Sequence, residues 1–346
     1  MIEEIATVSP EKATEKKLNP HPNGWFVVAF SDNLKKGEVR AICFMDQELV
    51  IYRTQSGRAA VSNAYCPHMG AHFAHGGVLK GEELQCPFHG FRFDCEGTCT
   101  ATGYDTKAPP SAKLKQWTVD EKNGFISVYY DSNGDKPEWE LPTMNMDGWT
   151  SYLTKEYELK SHPQETTENI VDIGHFSWIH GYSKVTEESE TTSEGPVLRV
   201  NYGFSRNGKE LGRKGDIRVH FHATAYGLGY SYVDTDITEL GIKTKSFVLP
   251  TPTKDGKIKL LLAMAVKEIG SSKKVHPMAA LIPKKLLTRI VLKAGFKAYC
   301  KDVEDDFNIW NNKTYILKPP LAKGDGPISL YRKWAKQFYH QQLVNM

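Results

Sequence analysis

Two short pairs, Cys66-x-His68 and Cys86-x2-His89, place two thiols and two imidazoles in loops of matching form, CPH and CPFH. Thiolate binds zinc or the iron of iron–sulfur clusters, and imidazole binds iron, zinc or copper, so this mixed set at short spacing reads as a metal site. Zinc sites usually pair like with like, C-x2-4-C and H-x3-5-H, whereas each pair here joins one cysteine to one histidine. A second set follows in ENIVDIGHFSWIHG, where Asp172, His175 and His180 form D-x2-H-x4-H. Two histidines and a carboxylate on one face of an iron leave positions open for O2 and substrate. On a regular helix Asp172 and His175 lie about 60° apart, but His175 and His180 about 140° apart. A widened or broken turn is therefore predicted between Phe176 and Ile179.

Other residues of these types get blander readings. His72 and His75 read as surface imidazoles in the first loop region, and Cys95 and Cys99 are surplus to the four cluster positions. Cys43 and Cys300 read as buried thiols. Asn169, near the start of a helical stretch, reads as a cap or surface residue.

The stretch CPHMGAH…CPFHG resembles the Rieske [2Fe–2S] motif, in which two cysteines hold one iron and two histidines the other. Followed by D-x2-H-x4-H, it makes the chain from GWFVVAF to the C-terminus similar to the oxygenase (α) component of the Rieske non-heme iron oxygenases. The tail KPPLAKGDGPISLYRKWAKQFY and a D-x-x-I-W helix most resemble the subgroup of 3-ketosteroid hydroxylases and cholesterol 7-desaturases. The resemblance implies a cluster on Cys66, His68, Cys86 and His89, and a mononuclear Fe(II) on His175, His180 and a later aspartate. Among Asp302, Glu304, Asp305 and Asp306, the D-x-x-I-W pattern favours Asp306, three before Ile309, with Asp305 and Asp302 as the next choices. It also implies that Asp172 bridges to a cluster histidine of a neighbouring subunit, and hence a homotrimer. Electrons would come from NAD(P)H through a flavin-dependent reductase or a ferredoxin, with O2 as co-substrate. The reaction would hydroxylate or desaturate a sterol or a similarly bulky hydrophobic compound. Demethylation or oxidation of an aromatic compound at the same site is an alternative, as is a Rieske electron carrier with a lipid-binding C-terminal domain. Phe91 stands where the family often has tryptophan, with no expected effect on the ligands.

The elements that must position these residues divide the chain in two. Between Gly24 and Asp131, β segments alternate with turn residues: GWFVVAF, AICFMDQELVIYR, AAVSNAYC and FISVYYD. The stretch DSNGDKPEWELP reads as a linker. Beyond it lie a helical-looking ETTENIVDIGHFSWIHG, several strand-like runs, and after Pro277 a basic segment read as helices covering one side of a sheet. The fold class expected is α+β, an all-β Rieske domain followed by an antiparallel sheet covered by helices, of helix-grip type. The boundaries expected are an arm over 1–20, the Rieske domain over 21–136 and the catalytic domain over 137–346.

In the 346-residue chain, 44 basic side chains against 41 acidic ones offer nothing that asks for nucleic acid. No run of about 18 apolar residues could span a bilayer. No GxGxxG opens a βαβ unit, so nicotinamide binding is assigned to a partner. The N-terminus has no signal-peptide pattern, and six scattered cysteines suit a reducing compartment, so a cytoplasmic location is expected. Lys284, Lys285, Arg289, Lys293 and Lys297 alternate with Leu286, Leu287, Ile290, Val291 and Phe296, and this segment is open to three roles: substrate channel, partner docking or membrane contact.

Overall fold

The computed structural model describes residues 18–208 and 215–340. The N-terminal arm lies outside the described residues as far as residue 17. The N-terminal region is all β. Strands β1 (Gly24–Phe30), β9 (Val119–Lys122) and β10 (Phe125–Tyr130) form one three-stranded sheet in the order β1-β10-β9. A second joins β2 (Val39–Phe44), β3 (Gln47–Arg53) and β4 (Ala59–Asn63). A small four-stranded sheet, β5 (Val78–Lys80), β6 (Glu83–Gln85), β7 (Arg92–Phe93) and β8 (Cys99–Ala101), carries the second Cys–His loop between β6 and β7. The run AICFMDQELVIYR is a hairpin rather than one segment. Met45 and Asp46 both take positive φ, the requirement of a two-residue turn, without the usual Asn-Gly.

Residues between β10 and β11 form no strand or helix. The C-terminal region is then built on one seven-stranded antiparallel sheet. Its order is β11 (Leu153–Leu159), β17 (Ile258–Val266), β16 (Ile242–Pro252), β15 (Tyr230–Ile237), β14 (Asp216–Tyr226), β13 (Val197–Asn207), β12 (Ser183–Glu194). The helices are α1 (Pro163–Glu168), α2 (Ile173–Trp178), α3 (Ser272–Val275), α4 (Lys284–Asp305), α5 (Phe307–Asn312) and α6 (Ile328–Ala335). The expected α+β class, a β domain followed by a helix-covered antiparallel sheet, is what the chain adopts.

Side chains of a strand alternate between faces, and the central strands use both. Tyr230, Phe247, Leu249, Leu261 and Ala263 pack against Trp25, Val27, Phe30 and Phe125 of the N-terminal domain. Phe125 and Phe247 meet edge to face at 4.8 Å, a contact worth about 0.5–1.5 kcal/mol beyond area burial. On the opposite face, Leu260 and Leu262 pack with Cys300 and Val303 of α4. Coverage on both faces explains why β17, IKLLLAMAV, is apolar almost throughout. Thr251 Oγ1 donates to Val27 O at 2.7 Å and Trp25 Nε1 to Trp139 O at 2.9 Å, tying the two regions together.

Candidate active site

The two Cys–His loops are built on one backbone plan. Cys66 N donates to Ala71 O and Gly70 N to Cys66 O; Cys86 N donates to Phe91 O and Gly90 N to Cys86 O. Gly70 and Gly90 sit at φ 74° and 68°, the left-handed region that closes each loop back on its cysteine. Both thiols are buried over Tyr52, Phe73, Leu84 and Phe93, and burial pushes the Cys66 thiol up to about 11, with Cys86 beside it adding to the rise. A thiol there ionises when a cation balances the charge. His68 and His89 approach with ring centroids 4.9 Å apart, and the Nδ1 of each is buried without a hydrogen-bond partner. Orphaned buried nitrogens are costly unless a ligand occupies them, so two thiols and two Nδ1 atoms fit a Rieske cluster. Phe91 lies against a candidate ligand. Its ring stacks on His68 at 4.1 Å and 9°.

His72 is half-buried, its Nδ1 accepting from Ala74 N, and His75 is exposed beside it. Cys95 and Cys99 are buried in the same core, and Cys300 is buried on the sheet-facing side of α4, but Cys43 is only half-buried on β2, correcting the expectation of a buried thiol.

The helical-looking stretch around Asp172 is two short helices rather than one. Asp172 breaks the run as the N-cap of α2, its Oδ1 accepting from His175 N at 3.1 Å. Its backbone carbonyl accepts from His175 Nδ1, which turns the ring's Nε2 the other way. Helix α2 stops at Trp178, so His180 lies beyond it, freed from the 140° offset that a continuous helix would impose. His175, His180 and Asp306 thereby bring one ligand atom each within 4.8 Å of one another. His180 Nε2 lies 3.7 Å from Asp306 Oδ2, and burial next to His175 holds the His180 imidazole down at about 4, neutral and able to bind metal. Burial pushes the Asp306 carboxyl up to about 7, with Asp172, Asp305 and Asp302 adding to the rise. Two neutral imidazoles and one buried carboxylate fit a divalent iron, which relieves the cost of burying that charge.

The other acidic candidates go elsewhere. Glu304 pairs with Lys155 and accepts from Tyr157, and Asp305 pairs with Lys301. Asp302 lies near His180 and Asp305 and faces the same cavity, but takes the Tyr182 hydroxyl at 2.7 Å and Arg206 at 3.4 Å. Asn169 proves to be part of the centre. Its Nδ2 donates to Asp306 Oδ2 at 3.1 Å, and its Oδ1 accepts from Trp310 Nε1 at 3.4 Å. Its position three before Asp172 was the signal, and a capping role was the competing explanation.

Beside this group lies a cavity walled by Phe176, Tyr202, Phe221, Val233, Val248 and Tyr299, with hydroxyls of Thr235 and Ser246 among the strand residues. The lining is mostly apolar, the environment that holds a hydrophobic ligand with few polar contacts.

The Rieske [2Fe-2S] domain profile matches residues 24–118, and that of the 3-ketosteroid 9alpha-hydroxylase C-terminal domain matches residues 128–339. The chain belongs to the Rieske non-heme iron oxygenases, as an oxygenase component of the steroid hydroxylase and desaturase type. Cholesterol 7-desaturase nvd of Bombyx mori is 31% identical over 94% of this chain and 71% of its own length. The oxygenase component of 3-ketosteroid-9-alpha-monooxygenase of Rhodococcus rhodochrous is 30% identical over 91% of this chain and 80% of its own. Among solved structures, NdmA of Pseudomonas putida CBB5 with caffeine shares the fold at a TM-score of 0.69 and 18% identity, covering 90% of this chain and 89% of that one. The protein is thus an O2-dependent oxidoreductase that uses a Rieske cluster and non-heme iron, takes electrons from a reductase or ferredoxin, and acts on a hydrophobic substrate.

Proposed function

We propose that this chain is the terminal oxygenase that hydroxylates or desaturates a sterol or steroid, fed by an NAD(P)H-dependent flavin reductase directly or through a ferredoxin. The observation that carries this reading is the convergence of His175, His180 and Asp306 on an apolar cavity in a chain that also holds two Cys–His loops. Cys66 and Cys86 would hold one iron of the cluster and His68 and His89 the other; His175, His180 and Asp306 would hold the mononuclear iron. When bound, these groups supply one-electron storage and O2 activation at Fe(II).

The remaining work falls to protein groups. The Asp172 carbonyl fixes the His175 tautomer, and Asn169 holds the Asp306 carboxylate by one oxygen. Phe176, Tyr202 and Phe221 exclude water from the substrate space. The Asp172 side chain is about a third exposed, so beyond its bond to His175 N it has room to accept from a partner imidazole. We assign it the link between the cluster of one subunit and the iron of the next, which requires a homotrimer. We place the domain boundary near 136/137, inside the stretch without regular elements, and, with all six cysteines free of disulfides, assign the chain to the cytoplasm.

The test is turnover of a sterol and 3-ketosteroid panel with NADH and a surrogate reductase, read by mass spectrometry. A product that gains one oxygen atom or loses two hydrogens is expected. Reduction and reoxidation of the cluster without any product from the panel would favour an electron carrier and overturn the proposal.

A further inference from the structure

Between Glu268 and Asp302 the chain carries lysines and one arginine but no carboxylate, although the whole sequence is nearly balanced in charge. The segment begins with α3 and a short 3-10 turn, Pro277–Leu281, and continues as α4. The turn is fixed from below by Ala279, which packs with Ile269 and Leu287, so its other side chains are held outwards. Met278 and Leu281 are 82% and 94% exposed, and Leu286 and Ile290 on the first turns of α4 are about half exposed. On α4 the exposed stripe reads Leu286, Ile290, Lys293, Lys297, spaced i, i+4, i+7, i+11 along one face. Among the described residues Lys284, Lys285, Arg289, Lys293 and Lys297 make no ion pair. A recess of about 430 Å3 opens beside the same helix end, lined by Lys285, Arg289, Trp149 and Tyr152, with Glu268 its one carboxylate.

We propose that this face docks on an anionic lipid surface, with Met278 and Leu281 inserted among acyl chains and the cations of α4 at the headgroups. Charge complementarity and protruding apolar side chains together point to lipid. Two large apolar side chains stand almost fully in solvent on a pinned turn beside the cations, the pairing by which an interfacial segment holds to anionic lipid. The placement also serves the substrate. Tyr299 and Val303 of the same helix line the cavity, and Tyr299 lies nine residues beyond Ile290, about 14 Å along the axis. This purpose rests on the hydrophobic-substrate reading, but docking is measurable without turnover, so either can fail alone.

The full-length holoprotein is sedimented with phosphatidylcholine vesicles, with and without roughly a third phosphatidylserine. Binding to the anionic vesicles about ten-fold or more above the neutral ones is expected, declining with salt. Met278→Glu with Leu281→Glu is expected to weaken it about ten-fold or more, and Lys284→Glu roughly five-fold or more. Turnover of substrate delivered in cyclodextrin should be unchanged in the double variant. Wild-type protein that stays in the supernatant, or a double variant that binds like wild type, overturns the proposal. So does a change in the lipid-free oligomeric mass of the double variant, which would make the face a contact between copies. Loss of coupling to an acidic ferredoxin without any vesicle binding would assign the face to a protein partner instead.

Discussion

Replacing Asn169 by alanine separates its positioning role from a merely structural one. Asn169 Nδ2 is the hydrogen-bond donor to Asp306 Oδ2, and that carboxyl is buried with three other acidic groups nearby. A hydrogen bond to a charged group contributes about 1.5–3 kcal/mol, which is roughly a ten- to 150-fold change in an equilibrium constant. Groups that orient a metal ligand typically alter metal affinity by about ten- to 100-fold. Asn169→Ala should therefore weaken mononuclear iron by about that factor, measured as release to a chelator whose affinity is known. The cluster is an internal control, since its ligands lie in the N-terminal domain. Its visible spectrum and paramagnetic signal should be unchanged while iron content falls from about three atoms per chain towards two. Trp310→Phe, which removes the donor at 3.4 Å to Asn169 Oδ1 together with part of a buried ring, leaves the Asn169 bond to Asp306 in place and should lose less iron. Unchanged chelator kinetics in folded Asn169→Ala would show that Asp306 needs no help and would refute the reasoning.

Asp306→Ala should leave about two irons per chain, whereas Asp302→Asn and Asp305→Ala should keep about three; iron analysis with the cluster spectrum as reference checks this. Away from the metal ligands, acid sensitivity should come in part from His162, whose Nδ1 caps α1 and whose imidazole burial holds down at about 4. Below 6.5 the unfolded chain takes up a proton that the folded chain refuses, so stability falls as pH drops towards 4, by about 2 kcal/mol between pH 7 and 5. His162→Asn keeps a capping acceptor and should flatten that slope in denaturant titrations. Gly229→Ala places a Cβ 2.3 Å from Phe26 Cδ1 and 2.4 Å from Trp25 O, so it should destabilise by about 2 kcal/mol or more and lower the melting temperature by several degrees.

The cluster loops were legible in the sequence because each holds its ligands within a few residues of a glycine that closes it. The mononuclear centre was only half legible. His175 and His180 are local, but Asn169 meets Asp306 across 137 residues, a distance no spacing rule reaches. The expected disruption after Phe176 is found as the end of α2 at Trp178, while the break before Asp172 was hidden because a capping aspartate inside an apolar pattern looks like a polar helix position. Strand β12, SKVTEESETTSE, left no mark either, since this edge strand is exposed on nearly every residue and shows no alternation. The hairpin at Met45-Asp46 was missed for want of glycine or asparagine at its turn.

The two-sided central strands also separate two kinds of evolutionary change. On β16 the cavity sees Ser246 and Val248, while Phe247 and Leu249 belong to the interface with the other domain; on β15 the cavity sees Val233 and Thr235. Substitutions confined to the cavity register can remodel what the enzyme accepts while the docking of its electron-storing domain stays intact. A library randomised at Val233, Thr235, Ser246 and Val248 therefore samples new substrates at little risk to domain assembly, whereas the same diversity at Phe247 and Leu249 would disturb the packing of the two domains.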